Sequence, residues 1–204
     1  MNENRIYHGG PITKKRFPAP AVSPGPNPDT IRMNLDPFSF HASNSNPATR
    51  ALHTTPNDSS YGYETWDFDK GDGVFALFGL PNKLWGFTLA GATGITVDWH
   101  FYHEQPAAAP NNDGYFNTNL YIVRQNESFN FAKAGGQFLT LDCSFPAYNH
   151  LAANVTNYQV VDPSGAGTVD EQSLLYVKLR REFTGDTFPT VIRFLGMVIE
   201  FPLV

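Results

Sequence analysis

Phe183-Thr-Gly-Asp-Thr-Phe-Pro-Thr-Val-Ile-Arg-Phe-Leu-Gly-Met-Val-Ile-Glu-Phe-Pro-Leu-Val204 is the stretch that decides how this chain folds. A Gly-Asp turn feeds a run in which Val191, Ile192, Phe194, Leu195, Met197, Val198, Ile199 and Phe201 are apolar. Chain ends are ordinarily frayed and polar. A terminal run of this kind must be buried, as the strand that completes a sheet or as a segment docked on a neighbour. If that strand is regular, Arg193 and Glu200, seven positions apart, fall on opposite faces of it.

Working outward from this end, strand patterns recur back to Tyr61. Residues 61–69 alternate Tyr63, Trp66 and Phe68 with polar positions, and Lys70-Gly-Asp-Gly73 reads as a turn. Val74 to Leu80 is apolar, and in Gly94-Ile-Thr-Val-Asp-Trp-His-Phe-Tyr-His103 the residues Ile95, Val97, Trp99 and Phe101 share one face. Further strands are expected over 119–123, 137–143, 155–161, 173–183 and 190–201, between loops rich in Gly, Pro, Asn and Asp. No amphipathic helix of four turns can be drawn. About eight strands in residues 61–204 predict an all-β domain, an antiparallel jelly-roll β-sandwich.

Residues 1–60 read differently. Nine of the 16 prolines lie here, each fixing φ and removing a backbone donor. The expectation is an extended Pro-rich N-terminal arm with no core of its own. Apolar residues recur along it, where solvated tails are depleted in them. Phe17, Ile31, Leu35, Phe38 and Phe40 are therefore candidate anchors on neighbouring subunits. The basic cluster Lys14-Lys15-Arg16 is a candidate contact for an acidic partner, and three cations are too few to indicate nucleic acid. The arm carries +2 and the remainder −7.

Composition narrows the function classes. Aromatic residues make up 14% and charged residues only 16% of the chain, with a net charge of −5. Charge this sparse suits a surface covered by other protein, and no global field argues for nucleic acid or membrane binding. The start has no signal-like apolar run, so synthesis in the cytoplasm is expected. Cys143 is the single cysteine, which removes a disulfide framework and a cysteine-built zinc site.

Candidate chemistry is thin. His100 and His103 are three apart, which on a strand turns them to opposite sides, so they cannot share an ion. Asp67-Phe-Asp-Lys-Gly-Asp-Gly73 has the start of a calcium loop but lacks Gly at the sixth position and Glu at the twelfth, and reads as an acidic hairpin turn. Asp170-Glu171 and Glu182 with Asp186 are carboxylate pairs of a kind common on β surfaces. Trp66, Trp85 and Trp99, with Tyr63, Tyr102, Tyr115 and Tyr121, are either core or a sugar-stacking platform, with core the default. No catalytic residue, metal site or cofactor is assigned.

Three segments together, Thr65-Trp-Asp-Phe-Asp69, Gly73-Val-Phe-Ala-Leu-Phe-Gly-Leu-Pro81 and Gly94-Ile-Thr-Val-Asp-Trp-His-Phe-Tyr102, resemble a widespread group of bacteriophage virion proteins. The ending Asp186-Thr187, followed by Arg193-Phe-Leu-Gly-Met-Val-Ile-Glu-Phe201, resembles that group's closing strand, and Leu175 to Phe183 resembles the basic strand before it. The resemblance implies a non-enzymatic jelly-roll structural protein of a tailed phage particle: a head decoration (cement) protein, a head or neck fibre, or a tail accessory. It also implies other virion proteins and further copies of the chain, as a trimer or other oligomer, as partners. The alternatives are a carbohydrate-binding module of a receptor-binding fibre, a single-jelly-roll main shell protein and a β-sandwich hydrolase.

Overall fold

A computed structural model describes residues 22–24, 30–55, 58–88, 94–105, 112–125, 136–163, 165 and 167–202. Its strands are β1 (Val22–Pro24), β2 (Thr30–Leu35), β3 (His41–Ala42), β4 (Thr49–Thr55), β5 (Asp58–Phe68), β6 (Gly73–Gly79), β7 (Thr96–Tyr102), β8 (Asp113–Val123), β9 (Gln137–Asp142), β10 (Leu151–Val155), β11 (Leu174–Arg181) and β12 (Ile192–Pro202). Helical structure among the described residues is confined to two 3₁₀ turns, Pro37–Ser39 and Asn82–Leu84.

The strands form two antiparallel sheets. One contains β5, β12, β7 and β10 in that spatial order; the other contains β6, β11, β8 and β9. Along the chain the path from β5 to β12 passes repeatedly between the sheets. This interleaving, with first and last strands adjacent, is the topology of an eight-stranded jelly roll. The expected fold is therefore present within residues 58–202. Two expected strands move: 119–123 extends back to Asp113, and 155–161 is replaced by β10, which ends at Val155 before the left-handed Asn157 (φ 54°).

The expectation of a coreless arm over residues 1–60 is corrected for residues 30–55. β2 pairs with β12 from Thr30↔Pro202 to Leu35↔Met197, β4 pairs with β5, and β3 pairs with β6. Ile31, Leu35 and Phe40, read as anchors for other subunits, are each only 2% exposed in this domain's own core. The physical reason lies in spacing. Ile31, Met33 and Leu35 alternate with polar residues at the period of a strand, while Pro37 starts a 3₁₀ turn and Pro47 stands outside the named strands. The prolines punctuate the strands rather than interrupt them. Phe38 remains outside the core, exposed beneath the Arg50 guanidinium, 4.9 Å from its ring centroid. Phe17, Lys14, Lys15 and Arg16 lie outside the described residues.

β12 is the centre of its sheet. One edge runs along β7; the other meets β5 through Ile192–Phe194 and β2 through Met197–Pro202. A bulge separates the two halves, because Phe194 pairs with Phe101 and Gly196 with the adjacent His100. Leu195 is the extra residue, and it reverses the inward parity: Ile192 and Phe194 face the core before it, Met197, Ile199 and Phe201 after it. Arg193 and Glu200 consequently share the outer face, which corrects the regular-strand expectation. Phe194 is the hub of the core, with ring centroids of Phe40, Phe101, Trp99 and Phe68 at 5.0, 5.6, 6.1 and 6.4 Å.

Candidate functional site

The two outer faces of the sandwich differ in chemistry, and the alternation of each strand sets the difference. On β11, Leu175, Val177, Leu179 and Arg181 point inward and are buried, leaving Tyr176, Lys178 and Arg180 outside. On β6, Val74 and Ala76 are inward and Phe75 and Leu77 outward; on β8, Phe116, Leu120 and Ile122 are inward and Tyr115, Asn117, Asn119 and Tyr121 outward. The pairing His41↔Phe75, Leu77↔Tyr176 and Tyr176↔Tyr121 then aligns rings from four strands.

The result is a row of rings across the five-stranded sheet. His41 and Phe75 have centroids 5.6 Å apart, Phe75 and Tyr176 6.0 Å with planes 27° apart, and Tyr176 and Tyr121 6.0 Å with planes 43° apart. Further along β8, Tyr115 stacks on Phe138 at 5.2 Å and 2°, and Phe138 is 56% exposed. Asn117 and Asn119 lie between the two groups on the same strand face but are packed beneath Gly136, and Asn119 and Tyr121 are only 4% and 5% exposed. Burial raises the phenol pKa values of Tyr121 and Tyr176, so both stay neutral hydroxyls through the physiological range. Neutral aromatic faces edged by hydroxyl groups can stack apolar ring faces and exchange hydrogen bonds with a polyhydroxylated ligand.

The outer face of the other sheet is a network of charges. His53 Nε2 lies 3.1 Å from both Asp67 Oδ1 and Arg193 Nε; Arg193 Nη1 lies 3.2 Å from Glu104 Oε2, and Thr65 Oγ1 donates to Asp67 at 2.7 Å. Arg32 Nε is 3.7 Å from Glu200 on this face, whereas Arg50 pairs with Glu64 on the other side of the β4–β5 hairpin, the side of Trp66 and Leu52. Most of these groups pair with one another across the strands; Arg32 Nε is the exception, buried without a hydrogen bond.

The remaining candidates resolve as structure. Trp66 and Trp99 are core, and the Trp66 Nε1–H donates to the Pro37 carbonyl at 2.7 Å; Trp85 is 48% exposed in the turn after Leu84. Tyr63 and Tyr102 meet edge to face at 5.6 Å on the charged sheet, away from the ring row. The Asp67–Gly73 segment is closed by its own hydrogen bonds, with Asp72 Oδ2 accepting from Asp69 N at 2.9 Å. Gly71, at φ 93°, is roofed by the Phe183 ring. No cluster of three potential metal ligands occurs among the described residues. The Cys143 thiol is pushed up to about 12, mainly by burial, which removes a thiolate at neutral pH. Asp186 is consumed by Arg181 rather than set against Glu182, with bonds of 2.7 and 2.8 Å.

His100 and His103 do face apart. His100 Nδ1 lies 3.0 Å from His150 Nε2 on the outer face, whereas His103 is buried against Phe188, ring centroids 4.8 Å apart. Burial first, and for His100 also the neighbouring His150, lowers both imidazole pKa values below 6.5. A lowered folded-state pKa means that the unfolded chain binds the proton first, so stability is full above 6.5 and is lost as pH falls from 6.5 through the folded values. Urea midpoints taken from pH 8 to 5 should decline below that point. His100→Gln should flatten part of the decline; an unchanged profile would show that His100 carries none of it.

No protein-family model matches the chain, and no curated protein matches it in sequence. Among solved structures, it is similar to a xylan-binding domain from carbohydrate-binding module family 22, with TM-score 0.38 and 12% identity over 83% of this chain and 93% of that one. It is also similar to the C-terminal family 22 carbohydrate-binding module of Clostridium thermocellum Xyn10B, with TM-score 0.40 and 12% identity over 83% and 92%. A family GH115 4-O-methyl-α-glucuronidase matches at TM-score 0.39 and 11% identity, over 76% of this chain but 16% of its own length. Likenesses at this level assign no function to this chain.

Proposed function

We propose that this protein is a non-catalytic carbohydrate-binding module, and that the outer face of its five-stranded sheet holds the glycan. The observation that supports the reading is the ring row His41–Phe75–Tyr176, drawn from three strands and backed by Tyr121, which is itself only 5% exposed. Rings on a sheet are held by backbone pairing, so little side-chain freedom is lost when a sugar stacks on them. The hydroxyls of Ser43 and Ser45 beside them can meet hydroxyls at the edges of a pyranose.

Binding to a glycan array and titration calorimetry against the strongest hit test this directly. Tyr176→Ala should weaken that hit by about tenfold or more, the value of one stacking ring, while the midpoint of unfolding moves little. Retained affinity in both Tyr176→Ala and Phe75→Ala would overturn the assignment of this face.

A second reading, a structural subunit of a bacteriophage particle, is favoured by the β4–β5 hairpin. Leu52 is 70% exposed on its core-facing side and Phe38 is 54% exposed nearby, an apolar surface suited to contact with another subunit. A chain that binds no glycan but is present in purified particles at stoichiometric copy number selects this reading. Glycan binding by a chain present in particles joins the two, as a module of a receptor-binding fibre.

A further inference from the structure

The ring row runs into a shallow depression on the same face, walled by Phe75, Tyr176, Lys178 and Arg180 and by the hydroxyl-bearing Ser43 and Ser45. No acidic residue is among the described residues that line it. Arg180 differs from every other described arginine. Arg32, Arg50, Arg124, Arg181 and Arg193 each have a carboxylate within ion-pair distance, on Glu200, Glu64, Asp162, Asp186 and Asp67 respectively. Arg180 has none among the described residues; its Nε–H donates to the Gly71 carbonyl at 3.3 Å. Asp72 of the nearby turn forms no ion pair with it, and its Oδ2 accepts from the Asp69 backbone.

A guanidinium fixed at Nε keeps its terminal nitrogens in a planar fork, the geometry that matches a carboxylate in two parallel hydrogen bonds. Lys178 adds positive charge to the same wall, and Phe75 and Tyr176 belong to both the depression and the ring row. We infer that the depression takes the carboxylate of an acidic sugar residue, with Arg180 as its ligand and Phe75 and Tyr176 stacking on the pyranose. The inference rests on the carbohydrate reading above and names the ligand class within it.

The full chain, screened on an array of carboxylated, sulfated and neutral glycans, should bind carboxylated ones. Titration of the strongest hit and of its methyl ester should show about tenfold tighter binding of the free acid, the value of a charge-assisted pair. Arg180→Gln should lower the affinity for the acid about tenfold, to near that of the ester, and Arg180→Lys should fall between. Thermal unfolding of each variant checks the fold, since Arg180 points outward. Equal affinity for acid and ester, an unaltered Arg180→Gln, or sulfated glycans bound as tightly as carboxylated ones would overturn the inference. Hits confined to neutral glycans and lost in Tyr176→Ala would overturn it while leaving the binding face in place. No hit of any class would remove both.

Discussion

Asp186→Ala should cost this domain about 3–5 kcal/mol of stability, the loss expected when one partner of a buried ion pair is removed. Arg181 is 1% exposed, and its guanidinium is spent on structure. Nε and Nη2 donate to Asp186 at 2.7 and 2.8 Å, Nη1 to the carbonyls of Phe68 and Thr190 at 2.9 and 2.5 Å, and Nη2 to that of Phe188 at 2.6 Å. Asp186 also receives the Tyr115 amide at 3.0 Å and lies 3.4 Å from Lys70 Nζ. The pair thereby ties the end of β5, the start of β8 and the loop into β12 to one point. Without the carboxylate, the cation keeps three carbonyl acceptors but loses its counter-charge. Arg181→Met should cost a similar amount, because it leaves the Asp186 carboxylate buried without its partner and strips three carbonyls of their donor. The double variant should cost clearly less than the sum, as residues of one network do. Equilibrium urea unfolding measures all three; a loss below about 1 kcal/mol in either single variant, the scale of an exposed pair, would show that the pair is not buried in solution.

Gly196→Ala should cost about 2–4 kcal/mol, combining backbone strain with overpacking. Gly196 has φ 130°, a conformation closed to residues with a side chain, and an added Cβ would stand 2.5 Å from the Leu35 carbonyl oxygen. That oxygen belongs to the end of β2, so the methyl group must push β2 off β12 or straighten the bulge. Straightening would reverse the parity of every residue beyond it and turn Met197, Ile199 and Phe201 out of the core. Hydrogen exchange should therefore report early opening of residues 30–35 in this variant, before the rest of the sandwich. A variant as stable as the parent, with β2 equally protected, would contradict this account.

Much of the jelly roll was legible in the sequence, because strands β5 to β12 alternate or run apolar and turn residues bound them. The contribution of residues 30–55 was hidden by proline. Pro37 and Pro47 lower any running estimate of strand, and they outweighed the alternation of Ile31, Met33 and Leu35, although both lie between strands. The bulge at Leu195 shows in the sequence only as Gly196 inside the run, since Phe194 to Ile199 is apolar at nearly every position and reads the same in either parity. For the ring row, Tyr115 and Tyr121 stood among the candidates, while Phe75 and Tyr176 did not. Their alternation was visible, but their approach depends on the register between β6 and β11. Adjacent Arg180 and Arg181 show the same limit. Period two sends one outward and one inward, and only the packed structure shows that the inward one meets Asp186.

The pairing of β2 with β12 also bears on how the molecule carries load. Thr30 stands opposite Pro202, so the start of β2 and the end of β12 lie at one corner of the sheet. Tension applied between those two points acts on the same end of an antiparallel pair and opens its hydrogen bonds one after another. The first event under such tension is β2 peeling from β12, with the eight strands from β5 onward still interleaved. A load arriving from before Val22 meets the short β1–β2 pairing first, so the domain can lengthen through β1 and then β2 while the aromatic face of the opposite sheet keeps its geometry.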